Sequence, residues 1–266
     1  MSRITQPKPS SLTKLGKYEP FDLQVSRNQI LDHKIIFKFG FNPDINGAEE
    51  TIWDAGGIYA YPSAATVMKV SSGSTNDTAA GTGARTILVQ GLDADYNEAE
   101  EIVTLNGQTA VNTTTSFLRV NRAYVLTAGS GGTAAGNIYV GVGTVTTGVP
   151  ATIYAQITLG ENQTLMGLWT VPAGYTGYFD HFNVATGTTN ANQYVTIRAI
   201  QRNFGGVFRT MIKQTIGSVG IADFVIKYPI EVQEKTDLEM RATSSGSNNL
   251  VSADFSVIYI RNRYPE

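Results

Sequence analysis

Five carboxylates crowd into the nine positions that begin at Asp93. Asp93, Asp95 and Asn97 place side-chain oxygens at alternating positions, which is how a Ca²⁺-binding loop starts. The rest of that pattern is missing, because Glu98 stands where the loop needs glycine and Thr104 stands where it needs glutamate. We keep Asp93, Asp95 and Asn97 as candidate cation ligands, and we predict that the segment forms an exposed acidic turn between two strands.

The rest of the sequence gives little indication of catalytic residues. Two catalytic carboxylates must face each other across a cleft, and neighbours on one loop seldom meet that geometry. The histidines His33 and His181 are far apart and accompany no nucleophile motif. The glycine-rich segments 81–85 and 128–136 lack the spacing of a phosphate-binding loop. The sequence therefore predicts a protein that is not an enzyme, with no catalytic residue and no cofactor site.

Aromatic side chains supply another candidate site. A flat ring matches the apolar face of a sugar, so aromatic residues on a strand surface could bind a glycan. The same rings could instead fill a core or a subunit interface. The preferred stacking candidates are Tyr61, Trp169, Tyr175 and Tyr178, and Tyr154 and Tyr194 are further members of the set.

Composition narrows the class of protein. The chain has 266 residues, of which 42% are hydrophobic and only 16% are charged, and its formal net charge is −2. A near-neutral chain of this kind is not expected to bind nucleic acid. The absence of cysteine excludes disulfides and thiolate metal sites. No apolar run is long enough for a membrane span or a signal peptide, so synthesis in the cytoplasm without export is expected.

The elements that would position these residues are strands. Short β-branched or aromatic runs, bounded by Gly, Asn, Asp or Ser, recur along the chain at a spacing of roughly ten to fifteen residues. This pattern predicts an all-β fold with an extended arm over 1–30, a β-sandwich-like domain over 31–150 and an eight-stranded jelly roll or β-sandwich over 151–266. Asn106-Gly107 is the clearest hairpin signal.

The arm is basic and rich in proline. It carries five basic and two acidic side chains, and Pro7 and Pro9 favour an extended path. An arm of this composition is ordered only when it lies on a neighbour. The residues predicted to contact that neighbour are Arg3, Lys8, Lys14, Lys17, Tyr18 and Phe21.

Two stretches of the chain resemble virion structural proteins of tailed bacteriophages. The first covers 40–111 and continues through 116–140. The second comprises NQTLMGLWTVPAGYTGYF (162–179) and IEVQEKTDLEMRATS (230–244). The resemblance implies a β-rich particle component on the virion exterior, either a capsid decoration (cement) protein or a short head fibre. Its implied partners are further copies of itself, as a homotrimer, and the major capsid protein of the phage head. Neither nucleic acid nor membrane is an expected partner.

A second interpretation of the resemblance stays open. A tail, baseplate or head-fibre module would use its jelly roll to grip glycans on the host surface. It would need exposed aromatic rings in a groove, whereas a cement protein would need an arm and a first domain that attach to the shell.

Overall fold

The structure, a computed structural model, describes residues 19–187, 190, 192–217 and 219–263. Within these ranges almost every regular element is a strand, and the all-β prediction is confirmed. One helix, α1, spans Phe21–Ser26. The strands are β1 His33–Ile45, β2 Glu50–Thr51, β3 Thr66–Ser72, β4 Ala84–Leu92, β5 Glu98–Thr104, β6 Val111–Phe117, β7 Arg119–Ala128, β8 Ile138–Thr146, β9 Val149–Ile157, β10 Leu168–Thr170, β11 Tyr175–Gly187, β12 Tyr194–Arg202, β13 Arg209–Gly217, β14 Val219–Val232, β15 Asp237–Ser244 and β16 Asn249–Arg261.

One pair of sheets forms what we call the C-terminal sandwich. The first sheet has the order β1-β16-β11-β14, and the second has the order β10-β15-β12-β13 with β2 paired to β15. Strand β16 turns its alternate side chains into the core because residues two apart share a face of a strand. The alternation in the sequence of β16 predicts that Ala253, Phe255, Val257 and Tyr259 share one face, and these four side chains are buried.

The other pair of sheets forms the central sandwich. Its sheets have the orders β6-β3-β8-β9 and β5-β4-β7. The side chains of Met68, Ile87, Phe117 and Ile138 are fully buried between them. Each sandwich therefore has its own hydrophobic core, which is the usual way for two antiparallel sheets to bury one face each.

The two sandwiches do not follow one another simply along the chain. Strand β1 pairs antiparallel with β16, with His33 opposite Ile260. The cluster that forms the C-terminal core also includes Ile45 and Ile52. The division of the chain at residue 150 stays a prediction, and the segment 33–52 lies with strands that follow that boundary. The chain therefore first contributes β1 and β2 to the C-terminal sandwich, then forms the central sandwich with β3–β9, and finally completes the C-terminal sandwich with β10–β16.

Two local predictions need correction. The Asn106-Gly107 pair does not close a hairpin, since β5 pairs with β4 and β6 pairs with β3. Gly107 does use a positive φ of 60°, but the turn carries the chain from one sheet of the central sandwich to the other. The apolar run 49–61 predicts a strand that a turn or bulge at 55–57 interrupts. Of this run only β2 is a strand, whereas Gly56 and Gly57 do form the predicted turn, with φ values of 73° and 67°.

The described part of the arm is not extended. Residues 21–26 form α1, and the side chain of Val25 is buried against the fold. Glu19 holds the first turn, because its main-chain oxygen accepts a hydrogen bond from Gln24 Nε2 at 2.8 Å and its carboxylate pairs with Arg27. Within the described ranges, no helix has the length and apolar character that crossing a membrane requires.

Candidate functional site

Asp237 forms the centre of a group of buried charges between the two sandwiches. Its Oδ1 accepts hydrogen bonds from Arg119 Nε at 2.8 Å and Thr170 Oγ1 at 2.6 Å. Its Oδ2 accepts from Arg202 Nε at 3.0 Å, Arg202 Nη2 at 2.6 Å and Arg119 Nη2 at 3.2 Å. A buried carboxylate needs such partners, because removing an ion from water costs several kcal/mol. Asp237 therefore joins β7 of the central sandwich to β10 and β12 of the C-terminal sandwich.

The guanidinium of Arg119 is fully engaged. Besides its pairing with Asp237, its Nη1 donates to the main-chain oxygens of Pro62 at 3.1 Å and Leu118 at 2.9 Å. Its carbon lies 5.1 Å from the ring centroid of Tyr61 and 5.5 Å from that of Tyr96. Burial alone would lower the pKa of Arg119, and the Asp237 carboxylate outweighs burial and raises it. Arg119 is thus a permanent charge committed to the protein interior.

A second buried carboxylate extends the group. Glu239 Oε1 accepts from Thr51 Oγ1 and from Arg241 Nε at 2.7 Å, while Oε2 accepts from Arg241 Nη2 at 3.0 Å and from Tyr61 Oη at 3.2 Å. Arg241 also donates to Glu49 at 3.1 Å. We call Arg119, Arg202, Asp237, Glu239 and Arg241 the interface network.

An open cleft of about 760 Å³ borders the interface network. Its walls are the loops 61–65, 94–96 and 202–206 together with Lys235. At its rim the rings of Tyr96 and Phe204 meet edge to face, with centroids 5.8 Å apart. The ammonium of Lys235 lies 5.8 Å from the first ring and 5.6 Å from the second. Tyr96 is 8% exposed and Phe204 is 68% exposed, so the cleft offers one free aromatic ring beside a cation.

The acidic segment uses its oxygens within its own turn. Asp93 Oδ1 accepts the main-chain N–H groups of Asp95 and Asn97, each at 2.9 Å, and Asn97 Nδ2 donates to Asp93 Oδ2 at 3.3 Å. Tyr96 sits in this turn with a φ of 65°. Among the described residues, no group of three or more metal-binding side chains converges. Cation binding by Asp93, Asp95 and Asn97 stays a prediction.

Another carboxylate of the segment fastens two strands together. Both carboxylate oxygens of Glu101 accept the N–H of Thr114, at 2.9 and 3.0 Å, and Oε2 accepts that of Thr115 at 2.7 Å. Partial burial acts to raise the pKa of Glu101, but these hydrogen bonds outweigh it and lower the pKa.

We expect Glu101→Ala to lower the free energy of unfolding by about 1 kcal/mol, because hydrogen bonds to an exposed carboxylate are weakened by water. Urea denaturation measures the loss. Glu100→Ala is the matched control, since Glu100 receives only a side-chain hydrogen bond from Gln90 at 3.1 Å. Equal losses in the two variants would contradict the role given to Glu101.

The sequence-predicted aromatic candidates are dispersed. Trp169 and Tyr175 are buried in the C-terminal core and contact the ring of Tyr259, so their faces are not free to stack on a sugar. Tyr178 is half-buried on β11. Tyr61 alone of the preferred four lines the cleft. The further members differ, since Tyr154 lies in the central core and Tyr194 is 53% exposed.

The sequence prediction missed the rim aromatics Tyr96 and Phe204. Phe204 is 68% exposed and precedes Gly205, whose φ is 71°. An apolar ring beside two glycines in a turn is the signal that could have indicated it. The arm residues Arg3, Lys8, Lys14, Lys17 and Tyr18 lie outside the described residues. Phe21 is described; it is 46% exposed and its ring packs edge-on against His33.

The remaining histidine, His181, pairs through Nε2 with Asp223 on the surface of the C-terminal sandwich. This contact joins neighbouring strands, since His181 of β11 lies beside β14. Two acidic residues lie in the cleft wall, Asp95 and Asp237. Both carboxylate oxygens of Asp237 are engaged, since they accept five hydrogen bonds. The described arrangement is thus suited to holding sheets together and to binding.

Comparisons with known proteins add little information about the function of this chain. No protein-family model matches the chain, and no curated protein matches it. Among solved structures the chain is similar to the infectious bursal disease virus Gx strain, with 8% identity over 88% of this chain and 74% of that chain, at a TM-score of 0.24. It is also similar to the VP2 subviral particle of infectious bursal disease virus, with 9% identity over 86% and 72% of the two chains, at a TM-score of 0.22. At these values neither likeness carries a conclusion about function.

Proposed function

We propose that this chain is a non-enzymatic structural component of a tailed-phage virion. Its role is that of a capsid decoration (cement) protein on the particle exterior, which binds the major capsid protein through the N-terminal arm and the first domain and acts as a homotrimer. Two observations support the proposal. One is the sequence resemblance, and the other is the set of buried ion pairs that joins the two β-sandwiches.

The observation that carries the proposal is an exposed apolar edge strand. Strand β14 is the last strand of its sheet, so one of its edges pairs with no strand of that sheet. Ile221, Val225 and Tyr228 lie on it and are 78%, 80% and 77% exposed. Large apolar side chains and an open sheet edge together mark a surface for contact with another protein. A component of a larger assembly would cover this surface.

A reconstitution experiment tests the proposal. Purified protein is mixed with phage shells that lack decoration, and bound density and the temperature of shell disruption are measured. We expect density on the shell exterior and a higher disruption temperature. The mass of the free protein in solution, measured in parallel, is expected to equal three copies. Shells that stay bare at saturating protein would refute the cement role.

Removing residues 1–18 is expected to abolish shell binding while the β-fold is retained. This cut removes Arg3, Lys8, Lys14 and Lys17 and spares Val25, whose burial helps to hold α1 in place. Cosedimentation with shells measures binding, and thermal unfolding verifies the fold. A variant with the four basic residues changed to glutamine keeps the length of the arm and separates charge from chain length. Undiminished occupancy in the truncated protein would exclude the arm as the attachment.

The cleft supports a second candidate function, the binding of host-surface glycans by a tail, baseplate or head-fibre module. The supporting observation is the exposed ring of Phe204, which packs edge-on against the buried Tyr96 and lies beside Lys235. A glycan array tests it, and Phe204→Ala should remove any signal because stacking needs the ring. Val207→Ala is the matched control, since Val207 is 74% exposed on the same turn but is not part of the cleft wall. An array without signal would dismiss this function.

A further inference from the structure

Lys38 is a buried lysine without an acidic partner among the described residues. It lies on β1, is 4% exposed, and its Nζ donates to the main-chain oxygen of Asn121 on β7. No ion pair of the described chain includes it, and the nearby charge that acts on it is another cation, Arg122. A charged amine in such a place is costly, so the position calls for an explanation other than a salt bridge.

Asn121 is the second unexplained polar group at the same place. Its side chain is 8% exposed, and its Oδ1 is fully buried and accepts no hydrogen bond. Leaving a buried amide oxygen unpaired costs about 1–3 kcal/mol. The carboxamide is separated by only Cα and Cβ from the main-chain carbonyl group that Lys38 contacts. The amine of Lys38 therefore contacts the main chain of the residue whose side-chain oxygen is unpaired.

The surroundings favour chemistry between the two groups. Both line a cavity of about 510 Å³ between the sandwiches, together with Trp169 and Tyr259. Burial, assisted by the charge of Arg122, lowers the pKa of Lys38 to about 7. A large fraction of the amine is then neutral near neutral pH, and a neutral amine is a nucleophile.

We propose that Lys38 and Asn121 are joined by an intramolecular isopeptide bond. The neutral Nζ attacks Cγ of Asn121, the Nζ–Cγ bond forms and the Cγ–Nδ2 bond breaks. One amine proton moves to the leaving nitrogen, which departs as ammonia. The proton passes directly from the attacking amine to the departing nitrogen, since no acidic side chain of the described residues acts on Lys38. The step needs no oxidant, reductant or added reactant.

The bond would lie where a covalent link has most effect. Lys38 belongs to the C-terminal sandwich and Asn121 to the central sandwich, 83 positions apart in the chain. Closing so long a loop removes much of the freedom of the unfolded chain, as a disulfide does. A chain without cysteine gains in this way a covalent link that reducing agents do not cleave. This inference does not depend on the proposed virion role.

The intact mass of the denatured protein tests the bond. We expect a mass below that of the sequence by one ammonia molecule. We also expect a branched peptide after trypsin digestion, since trypsin does not cleave after a modified lysine. Lys38→Met keeps a long apolar side chain and should restore the full mass. A wild-type protein with the full sequence mass would overturn the proposal outright.

A competing source of the same mass change must be separated. Asn46-Gly47 and Asn106-Gly107 can each lose ammonia by forming a succinimide with the following main-chain nitrogen. Such a loss would persist in Lys38→Met and in Asn121→Ala, whereas the isopeptide loss would vanish in both. Fragment ions that join the peptides containing Lys38 and Asn121 would establish the link. Loss of ammonia without those ions would contradict it.

Discussion

Asp237→Asn is expected to lower the free energy of unfolding by about 3–5 kcal/mol, the range found when one partner of a buried ion pair is removed. The variant keeps the size of the side chain but removes the charge that compensates Arg119 and Arg202. Asp237 itself is 2% exposed, and Arg119 is 6% exposed, so water cannot replace the lost carboxylate. Urea denaturation monitored by far-ultraviolet circular dichroism measures the change.

A surface pair provides the control for Asp237. Asp223 also contacts a basic side chain, that of His181, but the Asp223 side chain is 65% exposed. Asp223→Asn should change stability by less than about 0.5 kcal/mol, because exposed ion pairs contribute little. A loss below about 1 kcal/mol in Asp237→Asn would mean that the interface network is solvated and does not hold the sandwiches together.

The strands were predictable because their signal is local. In β16 the alternation of Ala253, Phe255, Val257 and Tyr259 identifies one inward face, and the structure confirms it. The Asn106-Gly107 turn was not predictable in the same way. The pair indicates a positive φ, which Gly107 adopts, but it does not determine which strand the next segment will join.

The interface network could not be predicted from the sequence, for a different reason. Arg119 and Asp237 are 118 positions apart, and each occurs at the start of a strand, where a charged residue is common. Only the packing of the two sandwiches brings them together. The same holds for Lys38 and Asn121, whose closeness depends on β1 and β7 facing each other across the cavity.

The aromatic candidates show where residue type alone misleads. Trp169 lies in β10, all three residues of which are buried, so no alternation distinguishes an inner from an outer side chain. Tyr175 is buried in the same core. Phe204, by contrast, lies in a turn and stays exposed because no sheet covers it. An aromatic residue in a loop was therefore a better indication of an exposed ring than the aromatic residues in strands.

The carboxylates of the interface network join sheets of the two sandwiches. Asp237 accepts five hydrogen bonds from Arg119, Arg202 and Thr170, so both of its carboxylate oxygens are engaged by side chains of the fold. Glu239 is held similarly by Thr51, Arg241 and Tyr61. The carboxylate of Asp237, which borders the cleft, is therefore already occupied by groups of the protein itself.

Asp54 is the carboxyl group for which the structure predicts the opposite behaviour. Its Oδ2 accepts a hydrogen bond from Thr158 Oγ1 at 2.9 Å, while its Oδ1 is buried and unpartnered. Burial raises the pKa of Asp54 to about 7, although hydrogen bonds from Thr158 and the backbone act to lower it. In the unfolded chain the same group titrates near its ordinary value of 3.8.

The stability that Asp54 contributes should therefore depend on pH. It is fully present below pH 3.8 and is lost as the pH rises to about 7, because ionisation then favours the unfolded chain. Asp54→Asn, which cannot ionise, should become progressively more stable than the wild type over this range. The gain should reach the order of 2–4 kcal/mol at pH 8. Urea denaturation of both proteins from pH 4 to pH 8 measures the difference.

Thr158→Val sharpens this test because it removes the hydroxyl that stabilises the ionised carboxylate without changing the size of the side chain. In the Thr158→Val background, the stability difference between proteins with and without Asp54→Asn should have its midpoint at a higher pH, since the charged form has lost a donor. If the stability difference between Asp54→Asn and the wild type did not change between pH 4 and pH 8, Asp54 would be solvated and its burial would not matter. A shift in the predicted direction would show that the ionisation of Asp54, opposed by burial and assisted by Thr158, makes the stability of the fold depend on pH.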